Sequence, residues 1–276
     1  MSVLVDLIVM LGMLIVVPVG LRLLDDPHLG SVGRLWPLAA ASGAASLWLP
    51  RGPVAAAFAA GYAVATLLLA LQAPLRLART RCSLAPAEIA TLTALVTPSV
   101  AALALIAERG GHQLLGFDLR ILALTVPHFH FAGFAAALVA GLCCRAAPGP
   151  LGRLAALSVP LGTLLVLAGY FVDDWVELAG ALVLTAGMWA VSLVTWRDIR
   201  RAGPDPLTRT LLATASAVLV VTMLLALSWA LGEAAGIPHP TVAWMAATHG
   251  IGNALGFALC SVLAWRRIKA TEETAE

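Results

Sequence analysis

Nine apolar stretches recur along the chain, at about 3–20, 35–49, 53–72, 86–107, 119–143, 154–172, 175–196, 207–232 and 240–265. Most approach the roughly 20 residues that a helix needs to cross the hydrocarbon of a bilayer. In hydrocarbon every backbone N–H and C=O must find its partner within the protein, so such a stretch has one stable form, the helix. Breaker-rich connections separate the stretches: Leu24-Asp25-Asp26-Pro27, Pro50-Arg51-Gly52-Pro53, Ala147-Pro148-Gly149-Pro150 and Gly203-Pro204-Asp205-Pro206. No soluble domain fits into connections this short. Charged residues make up 12% of the chain and mean hydropathy is +0.93, whereas soluble domains carry about 25% charged residues. The expectation is an all-α, polytopic transmembrane helix bundle of about nine spans, one domain over 1–270 with a disordered tail at 271–276. The second stretch is short and the sixth and seventh nearly adjoin, which leaves eight as the alternative count.

Charge placement sets the orientation. With nine spans and a cytoplasmic C-terminus, 14 of the 17 basic residues fall on the inner side, and only Arg51, Arg109 and Arg120 fall outside. That asymmetry follows the positive-inside rule and puts the N-terminus outside. The first stretch lacks a basic leading region and carries Asp6, so it reads as a span and not as a cleaved signal. A net charge of +2 gives no reason to expect nucleic acid as a partner. Membrane lipids are the expected surroundings. Cys82, Cys143, Cys144 and Cys260 form no C-x-x-C pair, so neither a zinc site nor a redox motif is indicated.

The polar residues inside the apolar stretches are the candidates for chemistry, because ionisable groups at membrane depth face protein, a cavity or a cofactor. Pro127-His128-Phe129-His130-Phe131 puts two imidazoles into one helix. His128 lies 17 residues before Arg145, His249 lies 17 before Arg266, and Asp6 lies 16 before Arg22. At about 1.5 Å per residue, all three come out roughly 25 Å above the cytoplasmic arginines, in the outer half of the bilayer. Asn253 lies one turn from His249 on the same face. A second group, Tyr170, Asp173, Asp174, Trp175 and Glu177, sits about 30 Å up, at the outer hairpin. The aromatic members of that hairpin equally suit an interfacial belt. The histidines equally suit hydrogen bonding between helices.

Residues two apart on a helix point about 200° from each other, so His128 and His130 share an ion only if the helix is distorted near Pro127. No H-x-x-x-H pair is present to place two ligands on one face, and no metal ligand set is assigned. Histidine with carboxylate suits acid–base work instead: a carboxylic acid in a dry pocket donates a proton, and a neutral imidazole accepts or relays one. There is no Gly-rich phosphate loop and no Ser-His-Asp signature.

His128-Phe129-His130-Phe131-Ala132-Gly133-Phe134, together with His249-Gly250 and Asn253-Ala254-Leu255-Gly256-Phe257, resembles the YndJ-like family of bacterial integral membrane proteins. The resemblance implies a multi-pass protein of the bacterial cytoplasmic membrane and supplies almost no mechanism. His128-Phe129-His130 also resembles the haem-ligating helix of haem–copper oxidase subunit I. This chain departs from that pattern: it has neither an adjacent His-His pair nor a histidine in its second span.

Three functions follow as expectations. The first is a cofactor-independent isomerase or cyclase acting on a lipophilic, terpenoid- or polyketide-like molecule. Its catalytic candidates are His128, His130, Asp173, Glu177, His249 and Asn253, and its substrate-binding candidates are Asp6, Asp174, Trp175 and Tyr170. The second is a transporter or proton-coupled permease. The third is a haem or metal protein using His128, His130 and His249. The sequence leaves oligomeric state open.

Overall fold

Helices begin where the chain offers a side-chain cap or a proline, and those signals sit in the breaker-rich connections. The computed structural model describes residues 3–24 and 26–275; Asp25 of the first turn and Glu276 of the tail lie outside them. Among the described residues are nine long helices: α1 (Val3–Leu23), α2 (Gly30–Trp48), α3 (Pro53–Arg79), α4 (Pro86–Gly110), α5 (Leu119–Ala146), α6 (Pro150–Gly169), α7 (Asp174–Ala202), α8 (Pro206–Ala235) and α9 (Val242–Thr274). Asp118, Asp173, Asp205 and Thr241 each accept a backbone N–H of the helix they precede. Pro53, Pro150 and Pro206 occupy the first turn of α3, α6 and α8, where a missing N–H costs nothing.

Eight of these helices, all but α2, are long and apolar enough to cross a membrane. α2 has the length of a span, 19 residues, but its first turn carries Gly30, Ser31, Gly33 and Arg34. The uncertainty in span number therefore belongs to α2 and not to the sixth and seventh stretches, which form separate helices. Gly169 ends α6, and the Asp173 carboxylate caps α7 by accepting the Val176 N–H at 2.9 Å. At the other end of the chain, helix continues to Ala275, with Thr271 donating to the Arg267 carbonyl at 3.0 Å and Thr274 to that of Thr271 at 2.9 Å. The expected disordered tail is thus helical as far as it is described. A polar segment extends a helix that is already formed far more readily than it starts one.

Contacts divide the chain into two compact units, Met1–Ser83 with Leu92–Ala135, and Leu84–Thr91 with Ala136–Glu276. Unit 1 is built around buried Val9, Met13, Trp36, Tyr62, Leu95, Leu105 and Phe134. Unit 2 is built on the α6–α7 hairpin, where glycines seven residues apart on each helix let the backbones meet. A Cβ added at Gly162 would stand 2.6 Å from the Leu184 Cα, and one at Gly169 would stand 2.5 Å from the Glu177 Cα. Gly180 and Gly187 do the same for Leu165 and Val159 from the other side. Close approach through small residues replaces the hydrophobic driving force that lipid does not provide between helices.

Four helices carry wide π turns within these units: α1 at Gly12–Val16, α5 at Phe129–Ala135, α7 at Thr195–Ile199, and α9 at Ala246–Gly250 and Gly252–Leu259. Such turns free backbone carbonyls for other partners and recur at functional sites. Both histidine motifs fall in them.

Candidate functional site

In unit 1 the distortion of α1 begins with proline chemistry. The Val17 N–H bonds the Gly12 carbonyl, and Pro18 has no N–H to offer the Met13 carbonyl. Trp36 Nε1 takes that carbonyl at 2.8 Å. The Trp36 ring stands edge-on to Tyr62, 5.7 Å between centroids, and the Tyr62 hydroxyl lies 2.6 Å from His130 Nε2. His130 Nδ1 lies 2.8 Å from the Val126 carbonyl oxygen. A carbonyl only accepts, so Nδ1 carries the proton; in a neutral ring Nε2 then accepts from the phenol. Both ring nitrogens are engaged. His130 and Tyr62 are fully buried. Gly12 makes the room, since a Cβ there would sit 3.0 Å from the His130 Cβ. His128, two residues earlier, is half-buried with its ring edge-on to Phe129.

In unit 2 His249 repeats the pattern with different partners. Nδ1 donates to the Thr222 carbonyl at 2.8 Å, and the Asn253 amide nitrogen lies 3.1 Å from Nε2. The Thr222 hydroxyl lies 2.8 Å from Asn253 Oδ1 and 3.0 Å from the Val218 carbonyl oxygen, and its single proton serves one of the two. Gly252 and Gly256 hold α9 against α8, each with an added Cβ only 2.7 Å from Thr222 or Val218. Unlike His130, His249 and Asn253 are only partly buried.

The hairpin carboxylates stand elsewhere. Asp173 is exposed and spends one oxygen on the α7 cap; Asp174, Trp175 and Tyr170 are exposed as well. Glu177 is half-buried, and its charge faces Asp174 and Glu233. Glu233 lies 11 residues beyond Thr222 on α8, roughly 16 Å along the axis. The sequence count put these carboxylates only about 5 Å above the histidine level. Within unit 2, Glu177 and His249 therefore belong to different heights of the same bundle.

Asp6 also has company that the sequence count does not reveal. It is 7% exposed, and its Oδ1 has no hydrogen-bond partner among the described residues. Arg109, Glu108 and Arg51 act on its charge. Glu108 reads from the sequence as a solvated loop residue, yet it is fully buried at the end of α4. Its Oε1 accepts from Arg51 Nη2 at 2.6 Å and Arg109 Nη2 at 2.8 Å, and its Oε2 accepts from Arg109 Nε. Arg109 Nη1 also reaches the Leu47 carbonyl at 3.2 Å. Gly12 meets His130, so Asp6, six residues earlier on α1, lies about 9 Å from that level along the axis. It joins the ion cluster rather than the histidine. The available signal was Arg51, Glu108 and Arg109 together at outer helix ends, where buried charge needs pairing.

Among the described residues no three His, Cys, Asp or Glu side chains are grouped as a metal would require. The family profile described as YndJ-like protein matches residues 7–257, which embraces both histidine motifs and most of the chain. No curated protein and no solved structure matches it.

Proposed function

The chain belongs to the YndJ-like family, and from that premise we infer a multi-pass membrane protein whose chemistry is centred on His249. We place it in the bacterial cytoplasmic membrane, with nine crossings, the N-terminus outside and the C-terminus cytoplasmic. The distribution of arginines supports that orientation. The reading for the site is acid–base conversion, isomerisation or cyclisation, of a lipophilic small molecule that enters from the bilayer.

One observation carries this reading: His249 Nδ1 lies 2.8 Å from the Thr222 carbonyl oxygen and Nε2 lies 3.1 Å from the Asn253 amide nitrogen, in a partly exposed residue. A ring whose Nδ1–H is tied to a backbone carbonyl presents the Nε2 lone pair as a base. In the resting protein the Asn253 amide occupies that lone pair. With a substrate in place, the same amide is free to hold a substrate oxygen while Nε2 takes the proton. Thr222 orients both groups at once, through its carbonyl and its hydroxyl. Glu177, with its own carboxylate neighbours, serves the outer end of the bundle as a proton donor or exchanger. The chemistry needs no resident cofactor, and a haem or metal would have to displace the present partner of Nε2.

Deuterium labelling tests the reading on an unfractionated pool of candidate substrates. Membrane lipid extract is incubated in heavy water with the purified protein, and extractable products are examined by mass spectrometry. Proton transfer to or from carbon leaves deuterium in a rearranged, lipid-soluble product. Such a product should form with the native protein and disappear with His249→Gln. Absence of label with the native protein overturns the reading.

A second reading has its own support. Asp6, with a buried unpaired oxygen beside two arginines and Glu108, is the kind of intramembrane ionisable group that marks transport pathways. Under that reading the protein is a proton-coupled permease, and substrate-dependent proton flux in proteoliposomes, lost in Asp6→Asn, is the expected result.

A further inference from the structure

The segment that leads into α9 is fastened to α8 by a histidine that the function above does not use. α8 ends at Gly236 in the left-handed conformation, φ 64°, and the chain turns back on itself. The Ile237 N–H bonds the Gly232 carbonyl at 3.1 Å. His239, held between Pro238 and Pro240, lies over Gly232 so closely that a Cβ there would overlap it.

The His239 ring meets three groups. Nε2 lies 3.0 Å from Glu233 Oε1, Nδ1 lies 3.1 Å from the Pro240 carbonyl oxygen, and the ring stands edge-on to Trp229 with centroids 4.8 Å apart. A carbonyl and a carboxylate both accept. A neutral imidazole has one N–H and serves one of them; an imidazolium serves both. His130 and His249 differ at this point, because each meets a donor at Nε2. The ionisable groups facing the clasp are Glu233 on α8, in direct contact, and Glu177 on α7, which faces Glu233 with Asp174 beside it.

We propose that His239 is a pH-operated clasp: as an imidazolium it ties the 236–241 segment to the last turn of α8, and loss of one proton releases the tie. Deprotonation leaves a lone pair facing either Glu233 or the Pro240 carbonyl, so one of the two bonds becomes a repulsion. The inference does not depend on what is done at His249, although α9 carries that residue.

Trp229 provides the readout, because an imidazolium beside an indole quenches its emission. The protein in lipid nanodiscs is titrated, and the emission of Trp229→Phe is subtracted to isolate the Trp229 signal. One transition is expected, with emission rising as pH rises. It should be absent in His239→Gln. Amide exchange at Ile237, corrected for intrinsic base catalysis, should accelerate about tenfold across the same transition and be fast at every pH in His239→Gln. A Trp229 signal with no His239-dependent transition overturns the proposal. So does a transition that leaves Ile237 exchange unchanged, since His239 would then titrate without clasping anything.

Discussion

In unit 1, His130 donates from Nδ1 to the Val126 carbonyl and receives the Tyr62 hydroxyl at Nε2; in unit 2, His249 donates to the Thr222 carbonyl and receives the Asn253 amide. Both rings lie in wide turns of their helices, and each has Nδ1 against a backbone carbonyl, which only a protonated Nδ1 can serve. They differ in what closes over them. His130 is fully buried against Gly12 and a phenol that is itself fully buried. His249 is partly accessible, and its partner is a side chain one turn away on its own helix. The same hydrogen-bond pattern is thus sealed in one unit and partly exposed in the other. Residue burial separates the two.

The largest test of that contrast is His130→Ala. It opens a cavity and strands the Tyr62 hydroxyl, at a cost of about 4 kcal/mol, measured by denaturant unfolding in mild detergent. A cost no greater than that of His249→Ala would erase the distinction. Tyr62→Phe leaves Nε2 of a buried ring unserved and should cost about 1–2 kcal/mol while leaving deuterium incorporation unchanged. His249→Gln reverses the balance: a stability change of about 1 kcal/mol or less, with product formation reduced about 100-fold or more. Asn253→Ala should lie between native protein and His249→Gln in product formation, read from the same labelled extract.

The smallest effect concerns the cap of α8, the helix that supplies Thr222. The Thr208 hydroxyl and N–H, aided by Arg267, hold the Asp205 carboxyl at about 2, below its ordinary 3.8. The folded value lies below the unfolded one, so the stability it lends is complete above the ordinary value and is lost as pH falls through about 2. The thermal midpoints of native protein and Asp205→Asn should therefore differ at pH 5 and converge on acidification. A gap that widens in acid would reverse the assignment.

Much of the architecture was legible in the chain. Helix positions follow from apolar runs and their caps, because a bilayer leaves the backbone one stable conformation. His128, His130, His249 and Asn253 stood out for the same reason, as polar atoms where polarity is costly. Asp6 and Glu108 show where such reading stops. Depth alone places the first, and the second reads as a solvated residue of an outer loop, although it closes α4 and is fully buried. Depth along an axis says nothing about which neighbour lies across it.

The sequence by itself determined an all-helical chain with spans long enough for a membrane, and it named both histidine motifs. Only the tertiary structure decided that His130 is sealed by a tyrosine 68 residues away, that His249 is tied to a carbonyl 27 residues away, and that Glu108 holds two arginines. The first kind of information is local, written in hydropathy and in the chemistry of helix ends. The second depends on which helix faces are brought together, and no periodicity along one helix records its partner on another.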